Sequence, residues 1–117
     1  MARSRHQHSD DFETFSAGAT IFREGEPGDR MFVIIQGEVE MHIHGRKVET
    51  AGVGDAFGEM ALIDEAPRSG TAIAVTDCRI VPINAKRFHF LVQQTPRFAL
   101  QIMKIMSDRL RQRDAIA

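Results

Sequence analysis

The sequence predicts a mainly β domain of sandwich or barrel type, followed by helices. Three observations carry that expectation. Short runs rich in β-branched residues recur between Phe15 and Ile83, glycines separate them, and helical periodicity replaces them after Ile83. Many short strands with regular turn signals pack as sandwiches or barrels, where facing strands bury each other's apolar sides.

Residues 1–11 are polar and rich in His, Ser and Asp, and read as a flexible N-terminal tail. Residues 12–117 read as one domain, with strands over about 15–83 and helices over about 84–94 and 96–113. The expected strands are Thr20-Ile21-Phe22, Met31-Phe32-Val33-Ile34-Ile35, Val39-Glu40-Met41-His42-Ile43, Ala72-Ile73-Ala74-Val75 and Arg79-Ile80-Val81-Pro82-Ile83. Between the first two, Glu24-Gly25-Glu26-Pro27-Gly28-Asp29 is expected to form a tight turn, with Pro27 presetting its own φ and Gly28 taking a positive one. In the third run Val39, Met41 and Ile43 share one face and Glu38, Glu40, His42 and His44 the other, as in a half-buried antiparallel strand. A hairpin is expected at Gly45-Arg46.

After Ile83, Asn84 is a candidate helix cap, and Thr95-Pro96 signals a second helix start. On that second helix Phe98, Ile102, Ile105 and Met106 form an apolar stripe widened by Ala99, Met103 and Leu110. The basic run from Arg109 to Arg113 suits the negative end of a helix dipole.

Composition narrows the function classes. The chain's 117 residues, 43% of them hydrophobic, supply one core. No apolar run approaches the roughly 20 residues of a membrane span, so no membrane partner is expected. The N-terminus lacks a secretory-type apolar stretch, and the single cysteine, Cys78, fits a reducing cytoplasm. Fifteen basic against sixteen acidic residues provide no global attraction for nucleic acid.

The chemistry concentrates in Phe57-Gly58-Glu59-Met60-Ala61-Leu62 and Pro67-Arg68-Ser69-Gly70-Thr71. Gly54 and Gly58 permit close backbone approach, and residues 58–63 read as one or two helical turns whose first N–H groups would face an anion. Arg68 can fork onto a phosphate with two parallel hydrogen bonds. Glu59 would repel a phosphate but can accept from a sugar hydroxyl, and Ser69 adds a hydroxyl and an N–H. Together these residues match a sugar phosphate.

This pattern resembles the cyclic-nucleotide-binding domain family, which includes catabolite activators, protein kinase A regulatory subunits and nucleotide-gated channels. The likeness runs from about Phe15 to Arg111 and includes Ala19 to Asp29, Met31-Phe32-Val33-Ile34, Gly37 and the 57–69 cassette. It implies a jelly-roll-like β-roll (a double-stranded β-helix) with flanking C-terminal α-helices. It also implies roles: Glu59 on the ribose 2′-hydroxyl, Arg68 on the cyclic phosphate, and Gly58, Met60, Ala61 and Ser69 completing the pocket. Gly70 stands beside them where alanine is frequent, and is expected to loosen the departing strand. Ser69 matches bacterial activators that bind cAMP, which favours cAMP over cGMP. In related domains the last helix covers the purine, a place that would bring Arg109 to the base, against the plainer reading of a snorkelling side chain that completes a C-terminal helix.

Other residues admit competing readings. His42, His44 and Glu49 are the candidate ligands of a cupin-like metalloenzyme, against the plainer reading of two solvent-facing histidines before a hairpin. Cys78 lacks a histidine at catalytic spacing and reads as a packed thiol. The expectation is therefore a cytoplasmic, non-catalytic sensor with no catalytic cofactor, whose ligand is cAMP or cGMP. Its signal is expected to pass through movement of the 96–113 helix, to an effector protein or a second copy of the chain. No helix-turn-helix pattern follows that helix, so direct DNA binding is not expected.

Overall fold

The computed structural model describes the backbone of residues 6–8 and 12–116 and the side chains of 12–108. Of the N-terminal stretch read as a tail, only His6–His8 falls within the described residues, as strand β1 paired with β2 (Glu13–Phe15). The chain divides into two compact units, residues 1–84 and 85–117.

The first unit is a two-sheet β-roll. Strands β3 (Thr20–Phe22), β4 (Arg30–Gln36), β5 (Val39–Ile43), β6 (Arg46–Ala51), β7 (Ala56–Phe57), β8 (Thr71–Ala74) and β9 (Cys78–Asn84) follow β2, with the short helix α1 (Met60–Ile63) after β7. One sheet has the order β1-β2-β9-β4-β7 and the other β3-β8-β5-β6, and every pairing within them is antiparallel. Both contribute to one core: Phe15, Phe32, Ile34, Cys78 and Ile80 come from the first sheet, and Phe22, Val39, Ala51, Ala72 and Ala74 from the second. The Phe22, Phe32 and Phe57 rings meet with centroids 5.3 to 6.1 Å apart. Such aromatic clusters supply much of the burial in a small domain.

Two features of the hairpin region differ from the sequence expectation. The β5–β6 turn is His44-Gly45, with φ of 51° and 79°, one residue earlier than expected. Positive φ at both central positions matches the right-handed twist of the flanking strands. His44 tolerates it while its N–H donates to Glu24 Oε1 at 3.0 Å. The second difference is β6 itself, which the sequence does not announce. Its Arg46-Lys47-Val48-Glu49-Thr50 is largely exposed at a sheet edge, where charge discourages pairing with other chains.

The second unit holds α2 (Ala85–Gln94) and α3 (Pro96–Ile116). Thr95 joins them: its N–H donates to Leu91 and its carbonyl accepts from Phe98. Asn84, the candidate cap, ends β9 in register with Arg30. Phe88 and Phe98 meet edge to face at 5.8 Å, and Ile102 is buried. Met103, expected to widen the apolar stripe, is exposed instead, and Leu110 lies outside the described side chains. Among the described residues no helix is long and apolar enough to cross a membrane.

Candidate functional site

The cassette is built outward from the core. Phe57 is fully buried in register with Phe32, which ties the start of the cassette to β4. The chain then reverses at Gly58, whose φ is +78°. A Cβ there would stand 2.8 Å from Arg68 Nη1, so glycine is required by conformation and by space. Glu59 follows as the N-terminal flanking residue of α1, and its carbonyl accepts from Leu62 and Ile63. Its side chain is buried, 2% exposed. Ala61 is buried, while Met60 and Ser69 reach solvent.

Arg68 is held at both ends. Its backbone N–H donates to Glu26 O and its carbonyl accepts from Gly25 N–H, each at 2.8 Å. Its side chain donates from Nη1 to Gly58 O at 3.0 Å and from Nη2 to Arg30 O at 2.8 Å. The guanidinium lies over the Phe22 ring, 4.1 Å from its centroid. Only 7% of the residue is exposed, and Nε is buried with no partner among the described residues. Burial is the chief cause that lowers the Arg68 pKa, and the nearby Arg30 charge adds to it. Asp29, Glu26 and Glu59 act in the opposite direction, so acidic groups surround the cation without cancelling the cost of burying it.

Both terminal nitrogens of Arg68 thus donate to backbone carbonyls. What the guanidinium still offers is its Nε edge, a donor whose burial without a partner is unfavourable until an acceptor arrives.

The turn after β3 has a larger part than the sequence reading assigned. Gly28 does not take a positive φ; that conformation falls to Gly25, at 86°. Gly28 instead provides space, since a Cβ would lie 2.4 Å from Arg68 Nε and 2.6 Å from Cζ. Gly25, Glu26, Gly28, Phe22 and Arg30 all act on Arg68, and sequence reasoning assigned none of them to the site. The one available signal was glycine clustering around Pro27, which a turn explains equally well. Gly70 likewise has a packing reason: a Cβ would approach His42 O to 2.9 Å. It marks close approach of two strands rather than a loosened one.

The remaining candidates separate in space. His42 Nε2 faces Glu40 at 3.2 Å, whereas His44 Nδ1 faces Glu24 at 3.3 Å from the hairpin turn. Glu49 pairs in register with Met41. The turn at His44-Gly45 takes His44 off the strand face, so the metalloenzyme arrangement is not supported. No group of three or more His, Cys, Asp or Glu side chains suited to a metal occurs among the described residues. Cys78 Sγ lies 3.3 Å from Glu38 O and 3.2 Å from Thr76 O, and burial pushes the thiol pKa up. A thiol held neutral is a poor nucleophile. Arg109 lies on α3, its side chain outside the described residues.

Comparisons with known proteins converge on one family. The cyclic nucleotide-binding domain family matches residues 12–95. The chain is 32% identical over 105 residues to the CRP-like cAMP-activated global transcriptional regulator of Mycobacterium tuberculosis, covering 83% of this chain and 46% of that protein. It is 42% identical over 93 residues to a cyclic nucleotide-gated potassium channel of Rhizobium etli, covering 80% of this chain and 26% of the channel. It therefore spans less than half the length of either. The fold matches the crystal structure of the Thermus thermophilus catabolite activator protein with a TM-score of 0.79 at 29% identity, over 97% of this chain and 54% of that one. With its two antiparallel sheets and the cassette built around Arg68, the chain belongs to the cyclic nucleotide-binding domain family and is a sensor domain of that kind.

Proposed function

We propose that this chain is a non-catalytic sensor that binds a 3′,5′-cyclic nucleotide, cAMP in preference to cGMP, in the cassette of residues 57–70. The observation that carries this reading is the buried Arg68 Nε, a cationic donor without a partner among the described residues. A cyclic phosphate would supply the missing acceptor and the counter-charge together. Glu59 would accept the ribose 2′-hydroxyl. The exposed Ser69 would offer its hydroxyl and N–H, and the backbone of Gly58, Met60 and Ala61 would border the phosphate where first-turn N–H groups lack intrahelical acceptors. Gly70 would keep the chain close behind the ligand, and Arg109 on α3 would approach the base. Ser69 and the cAMP-activated relative support the cAMP preference.

The signal would pass through residues 96–113 if that helix has two positions with different ligand affinity. Its output would reach an effector protein or a second copy of the chain rather than DNA directly, in keeping with a net charge of −1. Calorimetry with cAMP and cGMP tests the reading. Arg68→Ala is expected to weaken cAMP binding by about 2–5 kcal/mol, because a buried phosphate loses its paired charge. Binding equal to that of the parent would remove Arg68 from the site.

A further inference from the structure

Glu13 is a buried carboxylate to which the proposed ligand contacts assign no part. It stands on β2, 1% exposed, among apolar neighbours: Phe15 lies on the same face, and Ile80 and Ile34 follow in register across β9 and β4. A carboxylate in such surroundings requires a partner. Arg30 Nη1 donates to Glu13 Oε2, reaching past β9, which lies between β2 and β4 in the sheet. Arg30 opens β4, and Arg30, Phe32 and Ile34 share one face of that strand. The apolar face of the first sheet therefore ends in an ion pair.

That ion pair is connected to the anion site in two ways. The Arg30 carbonyl is the acceptor for Arg68 Nη2. Both cations also lie near the Phe32 ring, with Arg30 Cζ 5.1 Å and Arg68 Cζ 5.8 Å from its centroid. Like charges so placed repel unless one is compensated, and the Glu13 carboxylate compensates Arg30.

We propose that Glu13 is a positioning residue for the anion site: it holds the Arg30 guanidinium toward β2, so that the Arg30 carbonyl and the Phe32 ring stay aligned for Arg68. Only the identity of the ligand rests on the function proposed above; the alignment is a property of the free chain. Without Glu13, Arg30 loses its anion beside Arg68, and the guanidinium that must meet the ligand loses its fixed place.

The test is carried out on the whole chain. The buried Arg68 Nε–H is expected to exchange slowly with solvent by NMR, and its absence in Arg68→Lys assigns the signal. Glu13→Gln is expected to speed that exchange and to weaken cAMP binding by about tenfold, as coupled neighbours do. Glu13→Gln/Arg30→Gln, which removes both members of the ion pair, is expected to give the same effect rather than a doubled one. Either variant that folds with parental exchange and parental affinity, changed only in melting temperature, overturns the proposal. Should Glu13→Gln fail to fold, the double variant decides. If the exchange responds as expected but the parent binds no cyclic nucleotide, the ligand reading fails and the positioning role stands.

Discussion

In the strand unit Phe32 and Phe57 are buried with stacked rings 5.3 Å apart, whereas in the helical unit Leu100 and Met103 are 65% and 62% exposed. The strand unit also fixes one charged side chain, Arg68, through two backbone and two side-chain hydrogen bonds. In the helical unit Ile102 is the buried residue among those described, and Lys104–Asp108 is a surface pair worth little. Ligand recognition needs groups held in place before the ligand arrives. A unit with few buried contacts opens at lower free energy than a packed core. The contrast therefore separates a packed core that holds its charged groups in place from a unit that buries little of its apolar surface among the described residues.

The most severe way to break the contrast is at the centre of the strand unit. Phe57→Ala is expected to lower stability by about 3–5 kcal/mol in denaturant unfolding, through lost burial and the cavity left behind. A loss below about 1 kcal/mol would mean that Phe57 does not anchor the cassette. Gly28→Ala comes next, because the added methyl collides with the guanidinium. Overpacking of this kind costs about 1–3 kcal/mol, and here cyclic nucleotide affinity is expected to fall more than stability does. An unchanged affinity would separate Gly28 from Arg68.

A smaller effect depends on pH. The Cys78 thiol has its pKa raised by burial, so above about pH 9 the unfolded chain gives up a proton that the folded chain keeps. Stability then falls as pH rises, by at most about 1.4 kcal/mol per pH unit from this group. Cys78→Ala is expected to flatten that slope in melts between pH 8 and 10. The smallest effect is expected in the helical unit. Leu100→Gln on the exposed face of α3 should change the stability of the isolated chain by no more than about 0.5 kcal/mol. A larger loss would show that Leu100 is covered in solution, and the contrast between the units would shrink.

What could be read from the sequence follows the range of the interactions involved. The strand at Met31–Ile35 and the helix after Pro96 were legible because periodicity and caps are local. Strand β6 was not, since an exposed edge strand has no apolar alternation to reveal it. The cassette was legible because Gly58, Glu59 and Arg68 lie within a dozen residues and carry complementary chemistry. Phe22, Gly28 and Arg30 were not, because nothing local links them to a residue about forty positions away. His42 and His44 erred the other way: their spacing implied a shared face, and a positive φ at His44 removed it.

By itself, the sequence determined that this chain forms a mainly β fold followed by helices, and that one short glycine-bearing segment holds a carboxylate and a guanidinium. Turn chemistry, β-branching and residue type suffice for that, since each acts over a few residues. Only the tertiary structure decided that the guanidinium donates to the Gly58 and Arg30 carbonyls, leaves Nε buried without a partner among the described residues, and packs close to a glycine in another turn. Those facts depend on which strands become neighbours, and burial alone makes an unpartnered donor costly.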